Sequence, residues 1–470
     1  MRFTHSAASR QQFRFLQRQF LQDGDLPFTN VLTHECLSQA LDTLQIVWKD
    51  RVYTPLVTLW VFLGQVLSAD HSCRAAVARL IAHRLSQGQS FCSPETGAYC
   101  QARKRLPEKF FSDVARHTGQ TLDNNSDSGW LWKQRRVYIF DGSTVTMTDT
   151  EENQKEYPQN VAQDPGLGFP IARIAAIFSL ACGSIVDLGI CRYAGKGQGE
   201  LSVFRKLWDF FQPTDIVLTD RLYCTWADLL LLKQRGVDSV TQLHINRQAD
   251  FRKGIRLGKG DHIVRWRKPS CIRWLDRETY KSLPDYLTVR ECRVNVQQPG
   301  FRAKHIIVVT TLLDAEKYPK EDLAQLYRAR WNAELDLRSL KVALQMDILR
   351  CKTPELVRKE IWTHILAYNL IRTMMAQAAT QHQIEPRTIS FKGSKQTLEA
   401  FQPVLALQCD GSQREFLYGH LLTAIAHHRV GNRPGRFEPR KRKRREKKYD
   451  ALQQPRHEAK LDLLKRFTNN

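Results

Sequence analysis

Three acidic residues, Asp141, Asp220 and Glu334, are the side chains of this sequence best suited to chemistry. Asp141 and Asp220 each follow a short apolar run that predicts a strand, and ligands gather at strand ends in open α/β sheets. Carboxylate oxygens suit hard cations such as Mg²⁺, and no His/Cys pattern in the sequence favours zinc. An aspartate after a strand also caps turns, so each one taken alone is more often structural. The residue types therefore allow metal-ion chemistry without requiring it.

Glu334 belongs to a row of polar residues on the long helix predicted after Pro319, namely Tyr327, Arg330, Glu334 and Lys341. At about 100° per residue these four positions fall within an arc of about 60°, beside a stripe of leucines. An ordinary salt-bridged row is the alternative, because Arg330 and Glu334 have i, i+4 spacing. Such a row needs neither a tyrosine nor an apolar stripe beside it. We therefore favour a functional row at the border of the core.

The spacing Tyr327-(2)-Arg330-(3)-Glu334-(6)-Lys341 resembles the Y-R-E-K signature of bacterial insertion-sequence transposases of the DDE class. The segment 141–144, Asp-Gly-Ser-Thr, is similar to the first aspartate motif of that family. The segment 218–223, Leu-Thr-Asp-Arg-Leu-Tyr, is similar to the second, although the family often has a small residue in place of Leu222. The resemblance covers roughly residues 134–379.

The resemblance implies an RNase H-like fold and a DNA transposase that cleaves an insertion sequence at its ends and joins them to target DNA. Asp141, Asp220 and Glu334 would be the catalytic acids and would hold two Mg²⁺ ions, for which Mn²⁺ would substitute. The implied partners are the terminal inverted repeats, target DNA and a second copy of the chain in a paired-end homodimer. The implied setting is the bacterial cytoplasm, in association with DNA.

The same resemblance implies that Tyr327, Arg330 and Lys341 bind DNA phosphates near the scissile bond, where they position the strand rather than read its sequence. Related transposases often form a hairpin intermediate, which requires an aromatic ring to receive a flipped base. Trp266 and Trp274 are candidates for that ring. Packing in the protein core is the alternative for both tryptophans.

Apolar patterning predicts the elements that position these residues. Strands are predicted over residues 136–140, 171–180, 184–193, 215–219, 239–244 and 305–312. Helices are predicted over residues 199–211, 225–235, 319 to about 344, and 353–379. This order indicates an α/β fold in which helices flank a mixed sheet.

The domain organisation follows from breaks in this pattern. Residues 1–123 predict a helical DNA-binding and assembly domain, and the polar segment 124–129 a linker. Residues 130–380 predict the catalytic α/β domain, interrupted by a basic β-rich insertion at about 246–303. Residues 381–470 predict a helical C-terminal region with a basic tail at 429–448, which carries eleven Lys/Arg and two Glu.

Composition favours a nucleic-acid partner. The 470 residues include 71 Lys and Arg against 48 Asp and Glu, a net charge of +23. A polyanion is the expected partner of such a surplus. The longest apolar run, residues 55–69, is shorter than the roughly 20 residues of a membrane span, so no membrane association is expected. The eleven scattered cysteines do not form a disulfide or zinc pattern and favour a reducing compartment.

Two alternatives to a transposase remain open at this point. The chain could be a DNA-binding protein on a transposase scaffold that no longer catalyses. It could also be an RNase H-like nuclease that cleaves DNA without strand transfer. The presence of all three acids argues against the first, and only the reaction products distinguish the second.

Overall fold

The computed structural model of the chain describes residues 7–22, 26–48, 51–295, 305–407, 410–431 and 450–468. Helices come first: α1 (Ala7–Gln19), α2 (His34–Thr43), α3 (Pro55–Leu67), α4 (Cys73–Ser86), α5 (Gly97–Arg105) and α6 (Glu108–Asn124). The side chains of Thr33, Thr54 and Ser72 cap α2, α3 and α4 by accepting bonds from backbone N–H groups of the first turn. The predicted helical character of this segment is confirmed.

Five strands form the part of the sheet that carries the aspartates: β1 (Val137–Thr146), β2 (Ile171–Ser179), β3 (Ile185–Arg192), β4 (Ile216–Leu218) and β5 (Asp238–Gln242). Their order is β3-β2-β1-β4-β5. β2 is antiparallel to β1 and β3, whereas β4 is parallel to β1 and β5. The connecting helices are α7 (Glu151–Glu156), α8 (Glu200–Lys206) and α9 (Trp226–Gln234). The predicted mixed sheet flanked by helices is confirmed.

The basic insertion extends the same sheet. It contributes β6 (Ile255–Gly258), β7 (Asp261–Arg267), α10 (Arg277–Ser282) and β8 (Tyr286–Asn295), and β9 (His305–Thr310) follows it. β9 pairs with β5 and β8, and β7 and β6 complete a nine-stranded sheet. Leu287 and Val289 of β8 pack with Trp226 and Leu229 of α9 in one buried cluster. The predicted strand content of the insertion is confirmed, and this cluster joins it to the central sheet.

β1 does not end at Asp141, so the predicted strand end is wrong. The apolar run stops at Phe140, but pairing with β2 continues as far as Thr146 opposite Ile171. The parallel neighbour β4 pairs only with residues 137–139 of β1. Asp141 therefore lies where one neighbouring strand has ended and the other continues, because backbone pairing rather than hydrophobicity sets the end of β1.

The single straight helix predicted after Pro319 is also wrong. The segment forms α11 (Lys320–Ala329), α12 (Trp331–Arg338) and a π-helical turn (Ser339–Ala343). At the break, the Arg330 N–H bonds to the Tyr327 carbonyl at 3.2 Å, and the Asn332 amide donates to the Ala329 carbonyl at 2.9 Å. These bonds replace the regular i to i−4 pattern, and the π turn changes the angle per residue. The 60° arc of a straight helix therefore does not describe the polar row.

The C-terminal half is helical, with α13 (Pro354–Gln381), α14 (Phe391–Leu407), α15 (Gly411–His427) and α16 (Arg456–Thr468). α13 is buried along most of its length and packs against α3, α6 and α15. The largest buried cluster joins all three predicted segments, as Leu59, Ile139, Leu366 and Ile425 illustrate. The division into domains at residues 1–123, 130–380 and 381–470 stays a prediction. Residues 432–448 of the basic tail lie outside the described residues. Within the described ranges no helix is long and apolar enough to cross a membrane.

Candidate active site

The two aspartates lie on neighbouring parallel strands. Asp141 is within β1, where its Oδ1 accepts a bond from the Gly142 N–H at 2.8 Å. Asp220 follows β4 by two residues, and its Oδ1 caps the next turn by accepting the Leu222 N–H at 2.7 Å. The Thr241 hydroxyl of β5 donates to the Asp220 carbonyl at 2.7 Å, which fixes the loop backbone. Each carboxylate thus has one oxygen committed to a local backbone bond, which fixes the orientation of the group.

Arg330 connects Glu334 to Asp141. Its Nη1 lies 3.6 Å from Oδ2 of Asp141, and its Nη2 donates to Oε1 of Glu334 at 3.3 Å. The break between α11 and α12 places this guanidinium over β1, where its Nε is buried without a hydrogen-bond partner among the described residues. The structure thus brings the first acid and the glutamate to one cation. The sequence had predicted that Arg330 and Glu334 share a helix face, but not that Arg330 also contacts Asp141.

The pKa of Asp141 is raised to about 6, mainly because the carboxyl group is buried. The bond from the Gly142 N–H and the charge of Arg330 lower this pKa, whereas the carboxylates of Asp220 and Glu334 raise it. Asp220, Glu334 and Arg330 therefore all act electrostatically on Asp141. Concentrated negative charge of this kind is what a divalent cation neutralises.

The other two residues of the polar row also face the sheet. The Lys341 Nζ, carried by the π turn, donates to the Ser143 hydroxyl at 3.2 Å and to the Thr144 carbonyl at 2.9 Å. The Tyr327 hydroxyl donates to Oε1 of Gln242 at 3.4 Å, and burial raises the pKa of Tyr327 to about 12. Three residues of the row therefore contact the sheet, Arg330 and Lys341 at β1 and Tyr327 at the end of β5, and Glu334 is linked to β1 through Arg330.

Gly142 has a packing reason to be glycine. A Cβ at this position would lie 3.2 Å from the carboxyl carbon of Glu200 and 3.2 Å from the Ile174 carbonyl oxygen. Glu200 is held in place by an ion pair with Arg173 and by the Tyr223 hydroxyl, which lies 3.3 Å from its Oε2. The residue after Asp141 is thus tightly packed. Sequence reasoning did not identify this contact.

A buried ion cluster anchors α12. Asp336 pairs with Arg372 of α13 and, at 2.6 Å, with Nη1 of Arg387. Arg387 Nε in turn donates to the Leu180 carbonyl at the turn between β2 and β3, at 2.9 Å. Asp336 is only 1% exposed and lies two residues after Glu334. The sequence does show an acidic residue within the predicted helix, two positions after Glu334. It does not show that this residue is buried in an ion cluster, because Arg372 and Arg387 are remote in sequence.

The two candidate tryptophans differ in exposure. Trp266 is buried, and its Nε1 donates to Oε1 of Glu291 at 2.8 Å, which favours the packing alternative. Trp274 is 40% exposed and covers the guanidinium of Arg205 at 3.8 Å. A third ring, Trp331, was not considered from sequence, although it is partly exposed at 5.4 Å from the guanidinium of Arg330.

In the described part of the chain, no group of three or more His, Cys, Asp or Glu side chains is arranged so that it could hold a metal ion. The oxygen donors of Asp141, Asp220 and Glu334 nevertheless match Mg²⁺ in type. The guanidinium of Arg330 now lies between Asp141 and Glu334, where it supplies positive charge in place of a metal ion. The donor set therefore fits a divalent metal chemically, in an arrangement that Arg330 now stabilises.

Residues 132–370, about half of the chain, match the family described as the transposase DDE domain. The chain belongs to this family. It is a DNA transposase, an enzyme that cleaves DNA strands and joins them, and enzymes of this family generally use divalent metal ions.

Two curated relatives of this transposase come from Escherichia coli. Transposase InsG for insertion sequence element IS4, of strain K12, is 26% identical over 368 residues, which are 77% of this chain and 79% of the relative. The transposase for insertion sequence element IS421 is 42% identical over 69 residues, which are 15% of this chain and 18% of that protein. A solved piggyBac transposase synaptic complex with hairpin DNA is 10% identical, with a TM-score of 0.44 and 87% and 85% of the two chains covered. That loose superposition assigns no role to any residue.

Proposed function

We propose that this transposase has an RNase H-like catalytic core in which Asp141, Asp220 and Glu334 are the catalytic acids. The observation that carries the proposal is an electrostatic cluster in which Arg330 contacts both Asp141 and Glu334, and in which Asp220 and Glu334 both raise the pKa of Asp141. The strand order β3-β2-β1-β4-β5 supports the choice of core, because it sets the two aspartates on parallel neighbours. The acids lie far apart in sequence, so their proximity is a product of the fold.

We infer that the three carboxylates hold two Mg²⁺ ions, for which Mn²⁺ substitutes. When bound, such ions lower the pKa of an attacking water or 3′-hydroxyl and stabilise the leaving oxygen of an in-line displacement at phosphorus. Asp141 interacts electrostatically with Asp220, Glu334 and Arg330, so it is the acid best placed to be shared. Arg330 keeps Asp141 and Glu334 together before a cation binds and releases them as their charge is neutralised.

Tyr327, Arg330 and Lys341, together with Glu334, form a Y-R-E-K row that holds the DNA backbone next to these acids. Arg330 offers a planar fork for phosphate oxygens, and Lys341 offers a point charge. Both cations are now satisfied by protein oxygens beside Asp141, and phosphate oxygens would replace those partners. A phosphate held there lies beside the carboxylates, which is the placement that cleavage requires.

The reaction proposed is cut-and-paste transposition of an insertion sequence in the bacterial cytoplasm. The terminal inverted repeats are cleaved, and the freed ends attack target DNA. The helical segment 1–123 and the basic tail bind DNA around this centre, and two copies of the chain hold two ends together. Of the two insertion tryptophans, we propose Trp274 rather than Trp266 for a flipped base, because only its ring is exposed.

A cleavage assay on the matching element ends tests the proposal. With Mg²⁺ or Mn²⁺ the wild-type enzyme is expected to give nicked ends and then joined products. Asp141→Asn, Asp220→Asn and Glu334→Gln are expected to reduce both products by at least about 10³-fold while binding of end DNA is retained. The matched control is Asp149→Asn, because Asp149 is an acid near β1 outside the cluster.

Each other outcome assigns a different function. Binding of end DNA without nicking under any divalent metal would indicate an inactive scaffold, and cleavage without joining would indicate a nuclease. Full activity in Asp141→Asn or Glu334→Gln would refute the assignment of these acids.

A further inference from the structure

Three thiols surround one buried guanidinium in the N-terminal helices. Nη2 of Arg103, on α5, lies 3.2 Å from Sγ of Cys73 and 3.5 Å from Sγ of Cys100. Its Nη1 lies 3.8 Å from Sγ of Cys351. The ring of Tyr99 lies on the same guanidinium at 4.6 Å. Nη1 also donates to Oε1 of Gln65 at 3.4 Å, so the guanidinium is surrounded by three sulfur atoms, an aromatic ring and one amide oxygen. None of these groups belongs to the acids of the active site.

Two of these thiols form a pair. Cys73 is the first residue of α4 and Cys100 lies in α5, and their Sγ atoms contact the same nitrogen, Nη2 of Arg103, at 3.2 and 3.5 Å. Both are partly accessible to solvent, whereas Cys351 is buried. Among the residues that the structure describes, no cluster is arranged to bind a metal ion, so a zinc site does not account for the grouping. All ten cysteines that the structure describes are free thiols.

We propose that Cys73 and Cys100 form an oxidisable pair in which a peroxide converts the two thiols into a disulfide that ties α4 to α5. The Cys100 thiolate attacks one oxygen of hydrogen peroxide, the O–O bond breaks, and hydroxide leaves as the sulfenic acid forms. The Cys73 thiol then attacks that sulfur, the S–O bond breaks, and water leaves. The peroxide gains two electrons, and the two sulfur atoms together lose two.

The surroundings of the pair assign a different role to each thiol. The hydrogen bond from Cys73 and the neighbouring Arg103 lower the pKa of Cys100 to about 5, although burial opposes the shift. The pKa of Cys73 is raised because its proton is engaged by Cys100 and because it is buried. A thiolate beside a fixed cation is the nucleophile, and a protonated neighbour is the resolving thiol.

The disulfide would act on a helix that is attached to the rest of the molecule. The carbonyls of Arg103 and Lys104, at the end of α5, accept bonds from Nζ of Lys359 of α13, each at 3.1 Å. α13 also packs against α6 beneath the sheet. A link between α4 and α5 would therefore restrain helices that are continuous with the main core.

Mass spectrometry of the full-length protein tests the proposal. Trypsin leaves Cys92 and Cys100 on one peptide, so the protein carries Cys92→Ser to make the assignment unambiguous. After brief treatment with about one equivalent of peroxide and alkylation of the remaining thiols, we expect a peptide pair joined through Cys73 and Cys100. The exposed Cys271 is expected to stay alkylated, and Cys271→Ser, the matched control, to leave the linked pair unchanged.

A second measurement compares the reactivity of two thiols in a protein that keeps both Cys73 and Cys100. In the Cys92→Ser protein, iodoacetamide at pH 6 is expected to label Cys100 at least about tenfold faster than Cys271. Absence of the linked peptide after peroxide, or Cys100 labelling no faster than Cys271, would overturn the proposal.

Discussion

At the scale of single residues, the candidate active site combines repulsion among carboxylates with attraction to one arginine. Burial and two neighbouring carboxylates raise the pKa of Asp141, and Arg330 offsets part of that effect. From its resemblance to a known family, the sequence predicted that Asp141, Asp220 and Glu334 act together, and this assignment stays a proposal. It could not predict that Arg330 bridges Asp141 and Glu334, nor that Glu200 packs against Gly142, because those contacts depend on how distant elements pack.

The raised pKa predicts how Asp141 affects stability in the absence of metal. Below the unfolded-state pKa, near 3.8, the carboxyl is protonated in both states and has no effect of charge. Between that value and the folded pKa of about 6, the unfolded state gives up its proton while the native state keeps it, so stability falls as pH rises. Above the folded pKa both states are ionised, and the loss of stability is complete. Asp141→Asn is therefore expected to be more stable than the wild type at pH 7.5, by about 2–3 kcal/mol relative to their difference at pH 4.

Urea unfolding with EDTA at the two pH values measures this difference. Asp149→Asn is the matched control. Because Asp149 is exposed, the stability of this variant relative to the wild type should change little between the two pH values. A lower stability of Asp141→Asn at pH 7.5 than at pH 4, again relative to the wild type, would contradict the electrostatic account of the site.

At the scale of elements, the site depends on a helix that breaks in two places. Apolar periodicity predicted one helix after Pro319, since the stripe of leucines continues through the breaks. The break at Arg330 and the π turn at Lys341 rest on side-chain and backbone bonds that periodicity does not report. They direct Arg330 and Lys341 onto β1. In the same way, the sequence located the strands but placed the end of β1 too early, because pairing with β2 is a long-range property.

Asp336 is expected to hold α12, and with it Glu334, against the sheet. Asp336→Asn keeps the shape of the side chain but leaves Arg372 and Arg387 buried without their counter-charge. We expect the free energy of unfolding to fall by about 3 kcal/mol and DNA cleavage to decrease, with part of the activity restored by higher Mn²⁺.

Denaturant unfolding and cleavage over a range of Mn²⁺ concentrations check this expectation. The matched control is Asp322→Asn in α11, whose partner Lys133 is partly exposed, so its loss should cost less than about 1 kcal/mol. Equal effects of the two substitutions would show that the buried cluster does not anchor α12.

At the scale of the whole molecule, the chain combines a large excess of positive charge with an acidic site. The net charge of +23 includes an excess in the insertion, which the structure joins to the central sheet, and another in the tail at 429–448. Composition was enough to predict a polyanionic partner. It could not predict that residues from all three predicted segments share one core, because such packing requires the full set of tertiary contacts.

The tail is expected to bind DNA through phosphates alone. Replacing its Lys and Arg residues by Gln should weaken binding to all DNA sequences alike and flatten the plot of log K against log salt by about 0.9 per lost contact. Binding titrations at several salt concentrations measure the slope. A tail of scrambled sequence and equal charge is the control and should behave as the wild type, whereas an unchanged slope in the Gln variant would show that the tail does not contact DNA.

The central claim, that Asp141, Asp220 and Glu334 bind the catalytic cations, is tested most directly by anomalous X-ray scattering. Crystals of the transposase with cleaved end DNA and Mn²⁺ would locate the ions without reference to activity. The account predicts two anomalous peaks about 4 Å apart, bounded by the three carboxylates, with Arg330 moved onto a DNA phosphate. Peaks ligated by other residues, or Arg330 still paired with Asp141 and Glu334 without a metal ion, would contradict it.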